Sequence, residues 1–285
     1  MYRMPLKEKN PGQNRVLLSG GTGFLGSYIA KALVKSGFDV SILKRQTSEL
    51  KNLEGILNEI SLINRDEFSG GSFDFFIHAA TVYGRKKESK EEMWKANVDF
   101  PIEILEKIEN DDLHFINLNT SLPSKTNLYA ESKHLFAKKT RDQFPRLRMS
   151  NLLLEQFYGP HDGTFLSFLV ESFKKKKEEL DLTEGLQIRD FIYFTDVISA
   201  IKTVMTKSEL GDIPIGTGAE YTIQDIVKLT AELIGDCNTK LNFGVIPYRD
   251  NEVMSSVADI SKLKAIGWKP QFTLREGIKK TLENW

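Results

Sequence analysis

Short apolar runs alternate with amphipathic stretches along the first half of the chain. Arg15 to Ser19 is the first run, and glycines after it lead into Ser27 to Gly37, where Ile29, Ala30, Leu33 and Val34 share one face at helical spacing. Phe38 to Leu43, Ile60 to Ile63, Phe73 to His78, Leu113 to Leu118 and Arg148 to Leu154 read as further strands, since such runs suit strands buried on both faces. Met93 to Ile108, with Val98, Ile102 and Leu105 at helical spacing, and Tyr129 to Gln143 read as the helices between them. Strands alternating with helices predict right-handed βαβ units and an α/β fold, a doubly wound parallel sheet of the Rossmann type.

Past Gly159-Pro160 the alternation loosens into a helix over Thr164 to Lys177, short extended pieces, and helices near Asp196 to Lys207 and Thr222 to Ile234. The expected organisation is a loose arm over residues 1–14, a nucleotide-binding domain over 15–158, and a smaller, mainly substrate-binding lobe over 159–285. Part of that lobe, about 186–210, is expected to return to the first domain. Composition changes this picture little: 285 residues, 40% hydrophobic and 27% charged, are ordinary for a globular protein. Charge narrows the partners. With 39 basic and 39 acidic residues the chain has no global field to draw nucleic acid or anionic lipid. The single Cys237 has no internal disulfide partner, no Cys/His grouping has metal-ligand spacing, and no apolar run has membrane-spanning length, so a cytoplasmic setting is expected.

Candidate chemistry begins at Gly20, Gly21, Thr22, Gly23, Phe24, Leu25 and Gly26, between the first strand and helix. Gly21, Gly23 and Gly26 have the dinucleotide spacing, which gives a tight turn, close backbone approach to a pyrophosphate and close helix packing, with the phosphate at the helix N-terminus. An acid ending the second strand would bind the ribose of NAD. Here Lys44 and Arg45 stand instead, with Ser48 nearby, and cations there neutralise a 2′-phosphate, so NADP(H) is the expected cofactor and NAD(H) the lesser one. Tyr129 and Lys133 lie one helical turn apart on the same side, and an ammonium beside a phenol favours the phenolate, suiting it to exchange a proton with a carbonyl or alcohol.

The order GGTGFLG, then FIHAA at Phe76 to Ala80, then NTSLP around Thr120, then YAESK resembles the extended short-chain dehydrogenase/reductase family. So do the Asn97 helix, Tyr158-Gly159-Pro160, Arg189-Asp190-Phe191 and Gly267-Trp268-Lys269-Pro270. The resemblance implies Tyr129 as acid/base, Lys133 also on the nicotinamide ribose, and Thr120 on the reacting oxygen. It also implies Ala79, Ala80 and Asn97 beside the cofactor, and a nucleotide-linked sugar met by Thr81, Ser121, Gln156, Arg189 and Arg249. A homodimer packed through the Tyr129 helix, with Leu135 and Phe136 available for the contact, is part of the same expectation.

Two departures bear on the chemistry. Thr120 is followed by Ser121-Leu122 where the family's dehydratases carry an acidic pair, and the stretch from Thr120 to Tyr129 is short. The compact arrangement resembles the family's CDP-abequose/CDP-paratose synthase branch, which reduces 4-keto sugars. A 4-epimerase with retained cofactor and a non-catalytic dinucleotide sensor are the alternatives. Other readings are blander: His78 as a packed strand residue, His161 as a solvated loop histidine, Arg189-Asp190 as an internal ion pair or a substrate contact, Asp196 as a helix start, and Lys174 to Lys177 as a solvated helix face.

Overall fold

The computed structural model describes residues 14–235 and 238–285; Cys237 and the arm before Asn14 lie outside the described residues. In chain order the elements are β1 (Arg15–Ser19), α1 (Phe24–Lys35), β2 (Asp39–Lys44), β3 (Ser61–Asn64), β4 (Phe75–His78), α2 (Lys90–Trp94), α3 (Phe100–Glu106), β5 (His114–Thr120), α4 (Leu128–Gln143) and β6 (Arg148–Leu154). They continue with β7 (Gln156–Tyr158), α5 (Phe165–Lys174), β8 (Glu179–Leu182), β9 (Ile188–Arg189), β10 (Phe191–Tyr193), α6 (Phe194–Lys207) and β11 (Gly211–Ile215). Last come β12 (Tyr221–Thr222), α7 (Ile223–Ile234), β13 (Lys240–Phe243), β14 (Ser255–Ser256), α8 (Ser261–Ala265) and α9 (Leu274–Glu283).

A seven-stranded sheet has the order β11-β6-β5-β4-β1-β2-β3. The β1 strand is hydrogen-bonded in parallel to both β2 and β4, so the chain reverses its direction of winding there, and the crevice at such a switch point is where this architecture takes a ligand. Apolar runs become strands here because both sheet faces are covered: Val16, Leu17, Leu18, Phe76, Ile77, Phe115 and Ile116 are fully buried. The rings of Phe76 and Phe115 pack tilted with centroids 5.2 Å apart, and Phe115 meets Phe136 of α4 edge-on at 6.0 Å. Each ring so buried stabilises the fold by about 2–3 kcal/mol.

The helix expected over Met93 to Ile108 is not one α-helix. It runs as α2, a π-helical turn at Lys95–Asp99, and α3, whose first turn holds Pro101. Periodicity is blind to the extra residue that a π turn inserts. Such turns gather at functional sites, and this one carries Asn97. The first helix also starts earlier than the apolar face indicates, at Phe24, because Gly23 already has extended backbone at its N-cap.

The chain divides into two compact units. The first comprises the residues up to Asn119 with Leu128–Leu152 and Ser208–Gly211; the second comprises Thr120–Asn127, Leu153–Lys207 and Asp212–Trp285. In the second unit β13 pairs with β8 in parallel, and β9 lies between β12 and β14. Two buried carboxylates fasten it. Asp190 accepts the backbone N–H of Thr217, Gly218 and Ala258 and the Thr217 hydroxyl, so it is not the partner of Arg189 that adjacency in sequence suggests. Asp196 sits in the first turn of α6 yet ties down another segment, accepting the N–H of Gln271 and Phe272 at 3.1 Å each. His161 is exposed in its loop, as expected, with its ring centroid 4.3 Å from that of Trp285. Lys174 to Lys177 are exposed as well, although of the four only Lys174 lies in α5, and Lys174 and Lys177 sit over the rings of Trp285 and Phe168.

Candidate active site

The first unit builds its site from the glycine turn. Gly20 has φ +76°, and a side chain there would put its Cβ 2.5 Å from the Ala80 nitrogen, so the turn passes directly against the Ala79-Ala80 backbone at the end of β4. A Cβ on Gly26 would fall on the Gly20 carbonyl oxygen, and one on Gly21 would press on Ile42 of β2. The Gly23 N–H closes the turn on Gly20 O at 3.0 Å, and Asn52 Nδ2 fastens it from outside on Thr22 O at 3.0 Å. Helix α1 begins with neither a capping side chain nor an acid in its first turn. The positive end of its dipole is therefore left to an anion of a ligand, and this cradle fits a dinucleotide pyrophosphate. Leu25 is buried and Phe24 meets Tyr28 edge-on, so these two anchor the helix start from the inside.

At the end of β2, Lys44 is half-buried and Arg45 exposed. The Arg45 N–H donates to Ser48 Oγ at 3.1 Å, which leaves the Ser48 hydroxyl hydrogen for another acceptor and holds the loop that displays both cations.

Asn97 joins the cofactor side to α4. Its Oδ1 accepts from Val82 N at 2.7 Å and from the Thr81 hydroxyl at 3.4 Å; its Nδ2 donates to Val82 O and to Ser132 Oγ, both at 2.9 Å. Ser132 in turn donates to Tyr129 O at 2.7 Å. Asn97 thus spends its amide on fixing the loop after β4 against the first turn of α4, and it positions both Thr81 and Tyr129. Tyr129 is half-buried with its ring 5.0 Å from that of Tyr83, which in turn carries Arg85 over its face. Lys133 is 1% exposed, and burial pushes its ammonium down from 10.5 to about 7. His78 is wholly buried beneath, its Nδ1 2.7 Å from Ser19 Oγ, and burial followed by the Lys133 charge holds it well below the ordinary histidine range. A neutral imidazole so placed packs the sheet and adds no second charge beside Lys133.

The second unit holds Thr120, Ser121, Gln156, Arg189 and Arg249. Thr120 is buried and its Oγ1 accepts the Leu122 N–H at 3.3 Å. The Ser121 N–H donates to Leu154 O, and the Gln156 N–H donates to Asp190 O, so both follow from strand positions. Arg189 is buried and donates to Glu252 at 2.6 Å. Its partner is 63 residues away in sequence, which no local pattern announces. Arg249 is exposed, in the loop after β13.

Ser121 and Arg189 share a neighbour that no sequence motif marks. Glu155 is 7% exposed; Ser256 Oγ donates to its two oxygens at 3.0 and 2.9 Å, and Ser121 hydrogen-bonds it as well. Burial pushes the Glu155 carboxyl up, and these hydrogen bonds and the Arg189 charge pull it part of the way back. A carboxylate closing the run Leu152-Leu153-Leu154 was a visible signal, while Ser256 and Glu252 had none. Among the described residues, no group of His, Cys, Asp and Glu is placed to hold a metal ion, and no helix is long and apolar enough to cross a membrane.

A family model, "NAD dependent epimerase/dehydratase family", matches residues 16–216. The CDP-abequose synthase of Salmonella typhimurium is 31% identical over 94% of this chain and 97% of its own length. In fold, the chain is similar to the UDP-N-acetylglucosamine 4-epimerase of Methanobrevibacter ruminantium, solved in complex with UDP-N-acetylmuramic acid, with a TM-score of 0.81 and 19% identity over 95% of this chain and 97% of that one. A UDP-glucuronic acid 4-epimerase from Bacillus cereus, solved with a fluorinated UDP-glucuronic acid and NAD, has a TM-score of 0.81 and 22% identity over 94% of this chain and 98% of that one.

Proposed function

Because the chain belongs to the NAD dependent epimerase/dehydratase family, and so to the extended short-chain dehydrogenases/reductases, we propose that it is a sugar-nucleotide-modifying enzyme that reduces a 4-keto-deoxyhexose on a nucleoside diphosphate, with NADPH as reductant. The observation that carries this reading is the pair Tyr129 and Lys133 on α4, locked through Ser132 and Asn97 to the loop beside the glycine cradle. The likeness to a CDP-abequose synthase over nearly the whole length supports the reductive direction.

When bound, the nicotinamide supplies the hydride. The chain's own residues do the rest. Tyr129 gives the proton to the oxygen of the carbonyl as that oxygen gains charge. Lys133, one turn on, lies in an apolar setting that lowers its ammonium to about 7, and in its charged form its field on a neighbouring anion is stronger there than in water. Thr120, by the family's pattern, hydrogen-bonds the same substrate oxygen. Lys44 and Arg45, with no acid at the end of β2, favour a 2′-phosphate, hence NADPH over NADH. Soluble expression and a homodimer through α4 are part of the proposal; sedimentation that gives a monomer at micromolar protein removes the dimer.

The assay mixes NADPH, then NADH, with CDP-, dTDP- and UDP-linked 4-keto sugars and follows the loss of the reduced nicotinamide absorbance. Stoichiometric oxidation of NADPH with one of them supports reduction. No net oxidation, with an isomerised sugar nucleotide formed, overturns it in favour of a 4-epimerase, the activity of both solved relatives above.

A further inference from the structure

Glu155 lies beneath two half-buried hydroxyls, those of Ser121 and Ser256, which are 3.4 Å apart. An ionised carboxylate only accepts hydrogen bonds. While ionised it therefore draws the hydroxyl hydrogens of both serines to itself, Ser256 at 3.0 and 2.9 Å, and leaves each serine oxygen only its lone pairs to offer a ligand. Such a face recruits a donor, the hydroxyl of an alcohol. It offers nothing to a carboxylate, and a second carboxylate brought near Glu155 meets like charge in a poorly solvated place.

The surrounding charges do not cancel this field. Arg189 is the nearby cation, and Glu252 holds it at 2.6 Å. Asp190 adds a further negative group beside Glu155, turned to the Thr217, Gly218 and Ala258 N–H groups. Three carboxylates stand against one guanidinium in this cluster, Glu155, Asp190 and Glu252 against Arg189.

We propose that Glu155, acting through Ser121 and Ser256, is a specificity-determining residue that selects a nucleotide-linked sugar bearing neutral hydroxyls and rejects one bearing a carboxylate, a uronic acid. This rests on the sugar-nucleotide reading above and deepens it by naming the substrate class. It also separates this chain from its structural neighbour solved with a uronic acid derivative.

The test is calorimetric binding to the cofactor-loaded protein of glucose and glucuronic acid carried on the same nucleoside diphosphate, taken as CDP, UDP or dTDP according to which the protein binds. The wild type is expected to favour the glucose compound by about tenfold or more. Glu155→Gln, which keeps the shape and removes the charge, narrows that preference to within about twofold. Ser256→Ala, at a half-buried position, narrows it in the same direction by weakening the glucose compound alone, and stands in if Glu155→Gln does not fold. A purely structural Glu155 would lower the melting temperature and leave the preference as it was. The proposal is overturned by a preference unchanged in both variants, or by a wild type that binds the two compounds equally. Binding with the stated preference, together with no NADPH oxidation by any of the 4-keto sugar nucleotides of the assay above, would sink the reductase and leave this inference standing; failure of all three nucleotide pairs to bind would sink the sugar-nucleotide reading and the inference with it.

Discussion

Lys133 and Arg189 are both buried cations, and the two units treat them in opposite ways. In the first unit burial alone pushes the Lys133 ammonium down to about 7. In the second, Arg189 is lowered by burial too, but Glu252 at 2.6 Å and Glu155 nearby push back. A charge held without offset is costly to the fold and available to a ligand; a charge held by its own carboxylates is satisfied, and a ligand must compete for it. The first arrangement suits chemistry and the second suits a wall that reads shape and charge.

The comparison breaks most completely at Tyr129. Tyr129→Phe should lower turnover by about a hundred- to ten-thousandfold while cofactor affinity stays near that of the parent, as measured by steady-state kinetics beside fluorescence titration with NADPH. If the variant turns over like the parent, the acid/base assignment is wrong.

Lys133→Met sharpens it. The folded-state value of about 7 lies below 10.5, so the fold favours the neutral amine, and the wild type loses stability as pH falls from about 10.5 to about 7, with no further loss from this group below that. The variant lacks that slope. Denaturant titrations should find it about 2–4 kcal/mol more stable than the wild type near pH 6 and about equal to it above pH 10, although it turns over slowly. A variant less stable at every pH would show that Lys133 is satisfied in the folded protein.

In the second unit the expected sign is reversed. Glu252→Ala leaves the Arg189 guanidinium buried without its closest carboxylate and should cost about 2–4 kcal/mol in the same titrations, near neutral pH. A loss under about 0.5 kcal/mol would mean that Glu155 or water takes over the pairing. The smallest effect is at the end of β2: replacing Lys44 and Arg45 with alanine should weaken NADPH binding by about tenfold and leave NADH within about twofold.

The two units also differ in how far their sites were legible beforehand. Gly20 to Gly26, Tyr129 and Lys133 are readable because their geometry is local: a turn, a helix start and one helical repeat fix where the atoms go. Asn97 was readable as a position, but its work was not, since the π turn that aims it and the Val82 and Ser132 groups it binds come from tertiary packing. In the second unit Arg189 was legible as a residue and its partner was not. Glu252 lies 63 positions on, and Ser256 lies 101 positions from Glu155. Adjacency misled there, because the alternating sides of an extended strand point Arg189 to Glu252 and Asp190 to Thr217 and Gly218. The strands β1 to β6 were legible to within a few residues because both faces are apolar, whereas the short β9, β12 and β14 carry no pattern long enough to read.

The most direct test of the central claim is to supply NADPH carrying deuterium at its transferable position, with the 4-keto sugar nucleotide that is turned over, and to weigh the product by mass spectrometry. Reduction with Tyr129 as proton donor predicts one deuterium on the sugar carbon and one equivalent of NADP formed for each product molecule. A product without deuterium, made while NADPH persists, would contradict the account.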